Sequence, residues 1–576
     1  MMQIEAIYHK SYSEYAFPLD KNTLILRLRT KKNDVNSCIV VYHEKYDPSI
    51  KGSVQMEKTA SDELFDYYEA KLDTGIKRFK YMFYLEDNFE TIWLNQNGFS
   101  RHRPEWGFFC YSNICDKDVI EEIEWFKNST VYQIFPDRFS KFPCEKETKG
   151  QFYGGNIKGI ISKMDYLIKL GAGAIYLNPV FKSGSYHRYD IIDYYEIDPA
   201  FGDKTELKEL IGLCHNNGIK VIFDGVFNHS SDKFFAFCDV LKNGTSSMYK
   251  DWFYVDSFPT VNYPKPNYQC FSYFGGMPKL NTGNPKTAQY LFDVVKYWTM
   301  EFGIDGWRFD VADEIDREFW RELRIRVKSL NKDVVLIGEI FDEASSWLGG
   351  DQFDSVINYP VKSLVNDLFA YGSIDADLFK MRLDSYIMKF NIKVLNSMIN
   401  IIGTHDTPRF LTLCKGDEKR FELGVVFQFT FPGVPLIYYG DEIGMTGGGD
   451  PDCRRPMIWD ETKWNKKLLK LYGFLMDIRR NNEVLRNGIY RNLDIIGDKG
   501  ILAYKRVSDK DEIIVLMNTT DNKLNGIMKF GNSYKGKKSL KCLSSQKMQR
   551  IEGGEVKISL RPLEWRIYKI CGENKI

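Results

Sequence analysis

The spacing of hydrophobic and polar residues changes twice along this chain, and the changes mark three regions. In residues 1–120, apolar and polar residues alternate in short runs, among them 23–29, 38–42 and 79–84. Alternation with a period of two, at short spacing and without a long amphipathic helix, is typical of antiparallel strands that bury one face. The N-terminal region is therefore predicted to be a β-sandwich.

Short apolar runs alternate with amphipathic helical patterns in the middle region, residues 121–488. The candidate strands are the runs 130–135, 174–177, 220–223, 306–309, 334–337, 355–357, 398–402 and 434–439. Helical patterns lie between them, for example at 204–216, 285–301 and 318–330. Eight strand–helix units predict an α/β fold, a (β/α)8 TIM barrel. A doubly wound parallel sheet is the alternative, which the strand count disfavours.

The middle region also contains one long interval without a regular pattern. Residues 230–280, after the third predicted strand, are aromatic and rich in proline, so we expect a small inserted subdomain there. From residue 489 onward, runs such as 512–517 and 556–560 predict a C-terminal antiparallel β domain, a β-sandwich. The expected domains are thus 1–120, 121–488 with the insertion, and 489–576.

Composition and charge exclude several classes of partner. The 576 residues include 79 Lys+Arg and 78 Asp+Glu, a balance that disfavours nucleic-acid and membrane-surface binding. The most apolar stretch, 424–439, is interrupted by polar residues and prolines, so we expect no membrane span. No secretory pattern opens the sequence, and the eleven cysteines show no CxxC spacing. Together these features favour a cytoplasmic protein with reduced thiols.

Polar residues follow several of the predicted barrel strands, at the end where barrel enzymes place their active sites. In chain order they are His187, Tyr189, Asp224, Asn228, His229, Arg308, Asp310, Glu339, His405 and Asp406. Each residue alone fits a helix cap or a satisfied structural group. Their occurrence at matching strand ends predicts one convergent site. Paired carboxylates, without a phosphate-binding loop or a zinc motif, suit glycoside hydrolysis.

Four segments at these positions resemble the motifs of the α-amylase family, family 13 of the glycoside hydrolases. They read DGVFNH at 224–229, GWRFDVADE at 306–314, GEIF at 338–341 and GTHDTPR at 403–409. The resemblance implies that Asp310 is the nucleophile, that Glu339 is the general acid and base, and that Asp406 grips sugar hydroxyls near the transition state. It also implies that Arg308 pairs with the nucleophile and holds it ionised.

The same resemblance assigns residues that support catalysis and bind sugar. Asp224 would be the buried partner of Arg308, with Asn228 as a further supporting residue. Substrate-binding roles fall to His187, Tyr189, His229, Phe341, His405, Asp450 and Arg454. Among these, the two histidines His229 and His405 would hydrogen-bond the sugar at the cleavage subsite and Tyr189 would stack on it. The pair formed by Asp450 and Arg454 would hold the next sugar on the non-reducing side.

Further segments resemble one branch of the family, the neopullulanases, cyclomaltodextrinases and maltogenic amylases. These segments are MPKLN at 277–281 and the stretches 350–359 and 440–455, and the N-terminal region resembles carbohydrate-binding module family 34. The resemblance implies retaining hydrolysis of α-1,4-glucosidic bonds in cyclomaltodextrins and maltooligosaccharides, with pullulan or starch as further substrates. It implies a homodimer in which the N-terminal module covers the partner's active site. The N-terminal region offers aromatics in an exposed pattern, half of which we assign to its own core: Tyr12, Tyr15, Phe17, Tyr67 and Tyr68.

The chain departs from this branch at two places. Phe341 and Asp342 stand where branch members often have Trp and His near the leaving-group subsites, so the degree of transglycosylation is left open. The loop 140–156 lacks the clustered Asp, Asn and Gly of a calcium loop, so no cofactor is expected to be required and no calcium site is supported there. Two alternatives stay open: an α-glucosidase or glucan transferase on the same scaffold, and a non-catalytic α-amylase-like binding protein, which would lack the acids.

Overall fold

A computed structural model describes residues 2–143, 151–262, 265–530 and 539–572. The chain forms two compact units. Unit 1 comprises Met1–Glu122, Gly372–Asn396 and Asn487–Ile576, and unit 2 comprises Ile123–Tyr371 and Ser397–Arg486.

Two antiparallel sheets make up the N-terminal part of unit 1. Its strands are β1 (Ala16–Pro18), β2 (Thr23–Lys31), β3 (Ser37–Glu44), β4 (Lys51–Gln55), β5 (Glu57–Ser61), β6 (Phe65–Asp73), β7 (Phe79–Glu86), β8 (Thr91–Asn95), β9 (Gly98–Ser100) and β10 (Phe109–Tyr111). One sheet has the order β1-β2-β6-β5 and the other β4-β3-β7-β8-β9, with β10 paired to β7. Leu24, Leu26 and Leu28 of β2 are fully buried, as a period-two pattern requires. The predicted sandwich is confirmed.

Antiparallel sheets also form the C-terminal part of unit 1. The strands are β21 (Ile489–Asn492), β22 (Ile495–Gly497), β23 (Ile501–Val507), β24 (Glu512–Asn518), β25 (Leu524–Lys529), β26 (Ser539–Cys542), β27 (Met548–Arg550), β28 (Glu555–Leu560) and β29 (Trp565–Cys571). A sheet of order β21-β23-β24-β29-β26-β27 and a second of order β22-β25-β28 enclose one apolar cluster that includes Ile514, Leu516 and Leu560. The predicted C-terminal β domain is therefore confirmed.

Unit 2 is built around parallel strands. In chain order its strands are β11 (Val131–Ile134), β12 (Ala174–Leu177), β13 (Phe181–Ser183), β14 (Ile191–Ile197), β15 (Lys220–Gly225), β16 (Gly306–Phe309), β17 (Val335–Gly338), β18 (Ser355–Val356), β19 (Ile399–Asn400) and β20 (Val434–Tyr438). Eight of them pair in the order β18-β17-β16-β15-β12-β11-β20-β19, and a parallel bridge between Ile357 and Ile399 joins the two ends. This near-closed barrel confirms the predicted fold.

The helices of the described chain lie mostly between these strands. They are α1 (Glu124–Asn128), α2 (Pro136–Phe139), α3 (Ile157–Ile161), α4 (Met164–Leu170), α5 (Lys204–Asn216), α6 (Phe235–Asn243), α7 (Pro285–Phe302), α8 (Arg317–Leu330), α9 (Tyr359–Val365), α10 (Ala376–Ile387), α11 (Ile392–Ser397), α12 (Phe410–Leu413), α13 (Glu418–Thr430), α14 (Lys466–Asn481) and α15 (Val484–Asn487). Helix α7 shows why they begin and end where they do. Asn284 caps its first turn, Pro285 is its first residue, and Gly303 ends it at φ +72°.

The loops after the second and third barrel strands contain structure of their own. Strands β13 and β14 pair as an antiparallel hairpin after β12, which the sequence pattern did not predict. The predicted insertion after β15 contains helix α6 and isolated antiparallel bridges, among them Val255 with Tyr268 and Cys270 with Pro278. Both segments follow the carboxyl ends of their strands, where the predicted site residues lie.

Candidate active site

Strand register brings the predicted acids to one level of the barrel. Asp224 of β15 is the register partner of Arg308 of β16, and Arg308 is in turn the partner of Ile337 of β17. Because side chains alternate along a strand, Asp310 and Glu339, each two residues further on, point to the same side as these partners. The backbone continues the pairing there, since the Glu339 amide donates to the Phe309 carbonyl at 3.0 Å.

One guanidinium group contacts three buried carboxylates. Arg308 Nη1 lies 2.9 Å from Asp224 Oδ1 and 2.8 Å from Asp310 Oδ1, and Arg308 Nη2 contacts Glu339 Oε1. All four side chains are buried. A buried ion cluster of this kind is held by mutual pairing, and removal of Arg308 would leave buried carboxylates without their cation.

Burial and pairing with Arg308 act in opposite directions on the proton affinity of this cluster. Burial raises the pKa of Asp310 well above the ordinary aspartate range, although the guanidinium opposes the shift. Burial likewise raises the pKa of Asp224 to about 6. One cation serves three carboxylates here, so the cluster retains a proton at higher pH than isolated acids would. That Arg308 holds Asp310 ionised stays a prediction.

Glu339 is held from two further directions. The Val311 amide donates to Glu339 Oε2 at 3.1 Å, and the Tyr359 hydroxyl donates to Glu339 Oε1 at 3.1 Å. Val311, directly after Asp310, has φ +46°, a left-handed conformation that is strained for a β-branched residue. Phe341 is half-exposed and its ring stacks on Tyr359 with centroids 4.1 Å apart. Phe341 thus reaches the site through Tyr359.

A second group of predicted residues surrounds Asp406. Arg454 donates to Asp406 Oδ1 at 2.9 Å and pairs with Asp450 Oδ1 at 3.1 Å, and its Nε donates to the His405 carbonyl at 2.8 Å. His405 Nε2 lies 3.0 Å from Asp406 Oδ2. Asp406 itself is only partly buried, so one of its faces is open to a ligand. The structure therefore brings Asp406, Asp450 and Arg454 together, as the sequence predicted.

Tyr189 joins the two groups. Its hydroxyl donates to Asp224 Oδ2 at 3.0 Å and lies 2.6 Å from His405 Nε2. The rings of Tyr189 and His405 stack with an interplanar angle of 4°. Burial lowers the pKa of His405 well below its ordinary value, so the imidazole is neutral. Gln133 donates to His405 Nδ1 at 2.9 Å, which assigns the hydrogen to Nε2.

His229 and Asn228 follow strand β15, where His229 forms a bridge with Lys279 of the insertion. The His229 ring stacks on Phe271 at a centroid distance of 4.9 Å, and burial lowers the pKa of His229 to about 3. Its Nε2 is buried without a hydrogen-bond partner among the described residues. Asn228 donates to Glu314 Oε2 at 3.1 Å, and Lys279 contacts both Asn228 and Glu314.

His187 lies beside Tyr189 at the rim of the site. Its Nδ1 is 3.0 Å from the Ser185 hydroxyl and accepts from the Tyr189 amide at 3.2 Å. Burial lowers the pKa of His187. Through Nδ1, His187 fixes the loop that carries Tyr189. Its role in substrate binding stays a prediction.

Several residues of the site were not predicted from the sequence. The Tyr176 hydroxyl donates to Asp224 Oδ2 at 2.6 Å, Asn178 donates to the Tyr189 hydroxyl at 2.9 Å, and Tyr359 contacts Glu339. Tyr176 lies on β12 and Asn178 directly follows it. Polar residues at the end of this strand, as at the other strands, are the signal that could have identified both. Tyr359 begins helix α9, and no spacing signal connects it with Glu339.

The described residues contain no group of three or more His, Cys, Asp or Glu side chains placed to hold a metal ion. Glu145 and Glu147 of the 140–156 loop lie outside the described residues. In the described part of that loop, Asn156 accepts from the Gly159 amide and donates to the Phe142 carbonyl. Asp137 of the preceding helix α2 accepts from the Tyr153 and Gly154 amides of the loop. These oxygens are occupied by the protein's own backbone.

A separate cavity of about 380 Å³ lies at the other end of the barrel strands. It is lined where the strands begin, by residues such as Thr130, Gly173 and Lys220, together with Trp125 and Arg480. None of the described residues that line it is acidic, so it does not compete with the carboxylate cluster as a site for acid–base chemistry.

Comparisons with known proteins agree with the geometry. A sequence model of the α-amylase catalytic domain matches residues 133–467, and one of the α-amylase N-terminal Ig-like domain matches residues 1–115. A cyclomaltodextrinase from Thermoanaerobacter pseudethanolicus is 48% identical over 533 residues, covering 90% of this chain and 92% of the relative. Neopullulanase 2 from Thermoactinomyces vulgaris is 42% identical, covering 98% and 99%. A solved cyclomaltodextrinase structure superposes with a TM-score of 0.93 at 38% identity, covering 99% of this chain and 100% of that one.

Across the parts of the chain that are described, no helix has both the length and the apolar character that a membrane crossing would need.

Proposed function

This chain belongs to the α-amylase family, family 13 of the glycoside hydrolases, and from that premise we propose that it hydrolyses α-1,4-glucosidic bonds of cyclomaltodextrins and short maltooligosaccharides with retention of configuration. The observation that carries the proposal is the cluster in which Arg308 contacts Asp224, Asp310 and Glu339 at the ends of three neighbouring strands. All the acids that a catalytically dead relative would lose are present.

In the first step, Asp310 is the nucleophile and Glu339 the acid. The Asp310 carboxylate attacks the anomeric carbon while Glu339 gives its proton to the glycosidic oxygen, so the leaving sugar departs as an alcohol. The product is an ester between Asp310 and the sugar. Arg308 is fixed against both carboxyls and stabilises the charge that moves between them.

In the second step, Glu339 takes a proton from a water molecule, whose oxygen attacks the anomeric carbon and releases Asp310. Two inversions give net retention. Retaining enzymes hold their two carboxyls about 5–5.5 Å apart, against about 6.5–9.5 Å in inverting ones. A single guanidinium that contacts both Asp310 and Glu339 favours the shorter separation.

The residues around Asp406 are assigned to sugar binding. Asp406 is partly open and is oriented by Arg454 and His405, so its free oxygen positions can accept sugar hydroxyls. The Nε2 of His229, which has no hydrogen-bond partner among the described residues, offers a further hydrogen bond to the sugar. The Tyr189 ring stacks on His405 and also lies against the His187 ring at a centroid distance of 6.1 Å, so its proposed contact with the sugar uses the part of the ring that these two leave open.

The substrate class follows from the relatives, a cyclomaltodextrinase and a neopullulanase of nearly the same length. The test measures reducing-sugar release from β-cyclodextrin, maltoheptaose, pullulan and soluble starch, with products resolved by chromatography. Asp310→Asn is the negative control, and proton NMR identifies the anomer first formed. Rapid cleavage of β-cyclodextrin with an α-anomeric first product is expected. An initial β-anomer, or disproportionation without net hydrolysis, would contradict the proposal.

We also propose that no calcium ion is needed at the 140–156 loop. The support is that Asp137 and Asn156 already bond backbone groups of the same loop. A calcium ion is coordinated by about six to eight oxygen ligands, several of them carboxylates. EDTA treatment should leave the melting temperature unchanged, and added Ca²⁺ should not raise it. A drop that Ca²⁺ restores would contradict this.

A cytoplasmic location and a homodimer are further proposals. The described cysteines are free thiols, among them Cys38, Cys214 and Cys453 in buried positions, which suits a reducing compartment. Fractionation of the native host with an antibody would test the location: the protein is expected in the cytosolic fraction and not in the medium.

A further inference from the structure

An aromatic turn stands beside the site, and its position is fixed by the site itself. This turn, residues 271–276, is part of the insertion after β15. Its first residue, Phe271, stacks on His229 with centroids 4.9 Å apart. His229 is buried in the wall of the active site, with an unpartnered Nε2 among the described atoms. The aromatic turn therefore begins at the cleavage subsite.

The backbone of the aromatic turn is strained. The Phe274 amide donates to the Phe271 carbonyl at 2.8 Å, and the two residues between them, Ser272 and Tyr273, have φ of +46° and +63°. Two left-handed residues in succession are the geometry for which Asn-Gly is favoured. Each non-glycine residue costs about 1 kcal/mol or more in that region. Backbone strain of this kind is retained where the surrounding structure holds it, and such positions cluster at active and ligand-binding sites.

Hydrogen bonds hold the aromatic turn in this shape. The Tyr268 hydroxyl donates to the Gly275 carbonyl at 2.6 Å, and the Met277 amide donates to the Phe274 carbonyl at 2.9 Å. The Phe274 ring lies over Gly276, where a Cβ would come within 2.7 Å of a ring carbon. These contacts fix the conformation of the aromatic turn, and the lack of a side chain at Gly276 leaves the space that the Phe274 ring occupies.

Both side chains at the tip face solvent. Tyr273 is 86% exposed and Phe274 is 60% exposed. Neither ring pairs with another aromatic ring in the described chain. Exposed aromatic rings on a rigid support, next to a site, mark binding surfaces. Because both rings are exposed, they contribute little packing free energy to the folded chain, and this packing does not offset the backbone strain at Tyr273.

We propose that Tyr273 and Phe274 form an aromatic platform that binds glucose units of the substrate beyond the cleavage subsite. The apolar C–H faces of α-linked glucose pack on aromatic rings, which offer large apolar area at low entropy cost. The platform would favour cyclic substrates and linear substrates long enough for a second or third sugar unit to reach it. This inference rests on the proposed function and adds the residues that set its chain-length preference.

The test compares two glycine variants that relieve the same strain. Tyr273→Gly relaxes the backbone and removes the ring, whereas Ser272→Gly relaxes the backbone and keeps both rings. Both should melt at or above the wild-type temperature, because glycine adopts positive φ freely. Only Tyr273→Gly should lose kcat/KM on β-cyclodextrin and maltoheptaose, by about five- to tenfold through KM, with Phe274→Ala showing a similar loss. Cleavage of maltotriose should stay within about twofold.

Binding to an inactive background separates affinity from chemistry. In Asp310→Asn, calorimetry should show that Tyr273→Gly weakens β-cyclodextrin binding about five- to tenfold and that Ser272→Gly does not. Equal losses on maltotriose and the long substrates, or no loss at all, would overturn the platform. So would a change in oligomeric state of Tyr273→Gly by light scattering, which would assign the rings to a second copy. If the wild type cleaves none of these substrates, the proposed function fails instead.

Discussion

Asp310 and Glu339 carry the chemistry in the proposed reaction, so single substitutions there test it most directly. Asp310→Asn removes the nucleophile and Glu339→Gln removes the proton donor, while each keeps the size of the side chain. Both should lower kcat by about 10³-fold or more with little change in the melting temperature. Glu322→Gln makes the same change on the exposed face of helix α8 and should keep wild-type kcat. A residual kcat above about a tenth of wild type in either active-site variant would refute the assignment.

The buried acids of the Arg308 cluster make the reaction sensitive to pH. Burial raises the pKa of Asp310, and the charges of Glu339 and Asp224 raise it further. A protonated Asp310 cannot attack, so kcat/KM should fall as the pH falls through this raised pKa, above the range of an ordinary aspartate at about 3.9. The measurement is a profile of log kcat/KM against pH on β-cyclodextrin.

A variant identifies the source of that acid limb. Asp224→Asn removes one of the charges that raise the pKa of Asp310, so the acid limb should move to lower pH even though kcat decreases. Asp342→Asn, an exposed carboxylate near the end of β17, should leave the limb in place. An acid limb that does not move in Asp224→Asn would show that the cluster does not set it.

Residue by residue, the sequence predicted the polar site better than the aromatic surface. The acids and His405 were found because strand ends converge in a barrel, which needs only the strand count, whereas Arg454 was found only through the resemblance of the segment 440–455. Of the five N-terminal aromatics, only Tyr12 is exposed, and Tyr15, Phe17, Tyr67 and Tyr68 are buried, more than the expected half. Tyr359 was missed because its contact with Glu339 joins two different βα loops, and no local pattern records such a contact.

Among elements, helix α10 offers a titration that should be visible in stability. Asp384 on this helix accepts from the Ser61 amide of β5 and from the Asn492 side chain of β21, all within unit 1. Burial raises the pKa of Asp384 to about 7. The folded state then binds more protons than the unfolded state between about pH 4 and 7, so the free energy of unfolding should fall as the pH rises through this window.

Asp384→Asn should remove this dependence. Urea unfolding measures the free energy of unfolding of the variant and the wild type at pH 4 and at pH 8. The variant minus wild-type difference should be about 2–4 kcal/mol more positive at pH 8 than at pH 4. Asp377→Asn, exposed on the same helix, serves as the control and should show no such shift. Parallel curves for Asp384→Asn and wild type would contradict the assignment.

Element bounds could be predicted where one signal dominated. Strands β12 and β16 and helix α5 were predicted to the residue, because fully buried strands and capped amphipathic helices have sharp ends. Strands β18 and β19 are only two residues long, shorter than the apolar runs that contain them. The hairpin β13–β14 was missed because its residues mix charged and apolar side chains in the loop before α5. The grouping of helix α10 with the β regions in unit 1 depends on tertiary packing, which the pattern does not contain.

For the whole molecule, assembly and substrate size form one prediction. Loops between the N-terminal strands expose Tyr46, Phe89 and Trp106, of which Phe89 is 85% and Trp106 74% exposed. Exposed rings of this size suit a contact with another chain. We therefore expect a homodimer in which the N-terminal module covers the partner's cleft and excludes long branched glucans.

Light scattering at micromolar concentration should give twice the chain mass of 67.3 kDa, and kcat/KM on β-cyclodextrin should exceed that on soluble starch. The double variant Phe89→Ser with Trp106→Ser should be monomeric and should gain activity on starch relative to β-cyclodextrin, because the cleft is then uncovered. Ile325→Ser, an equally exposed apolar residue on helix α8, should stay dimeric with unchanged preference. A wild-type monomer that cleaves starch faster than cyclodextrin would refute both halves. A monomer that still prefers cyclodextrin would refute the dimer alone and leave the narrowing of the cleft to loops of the same chain, such as the aromatic turn at 271–276.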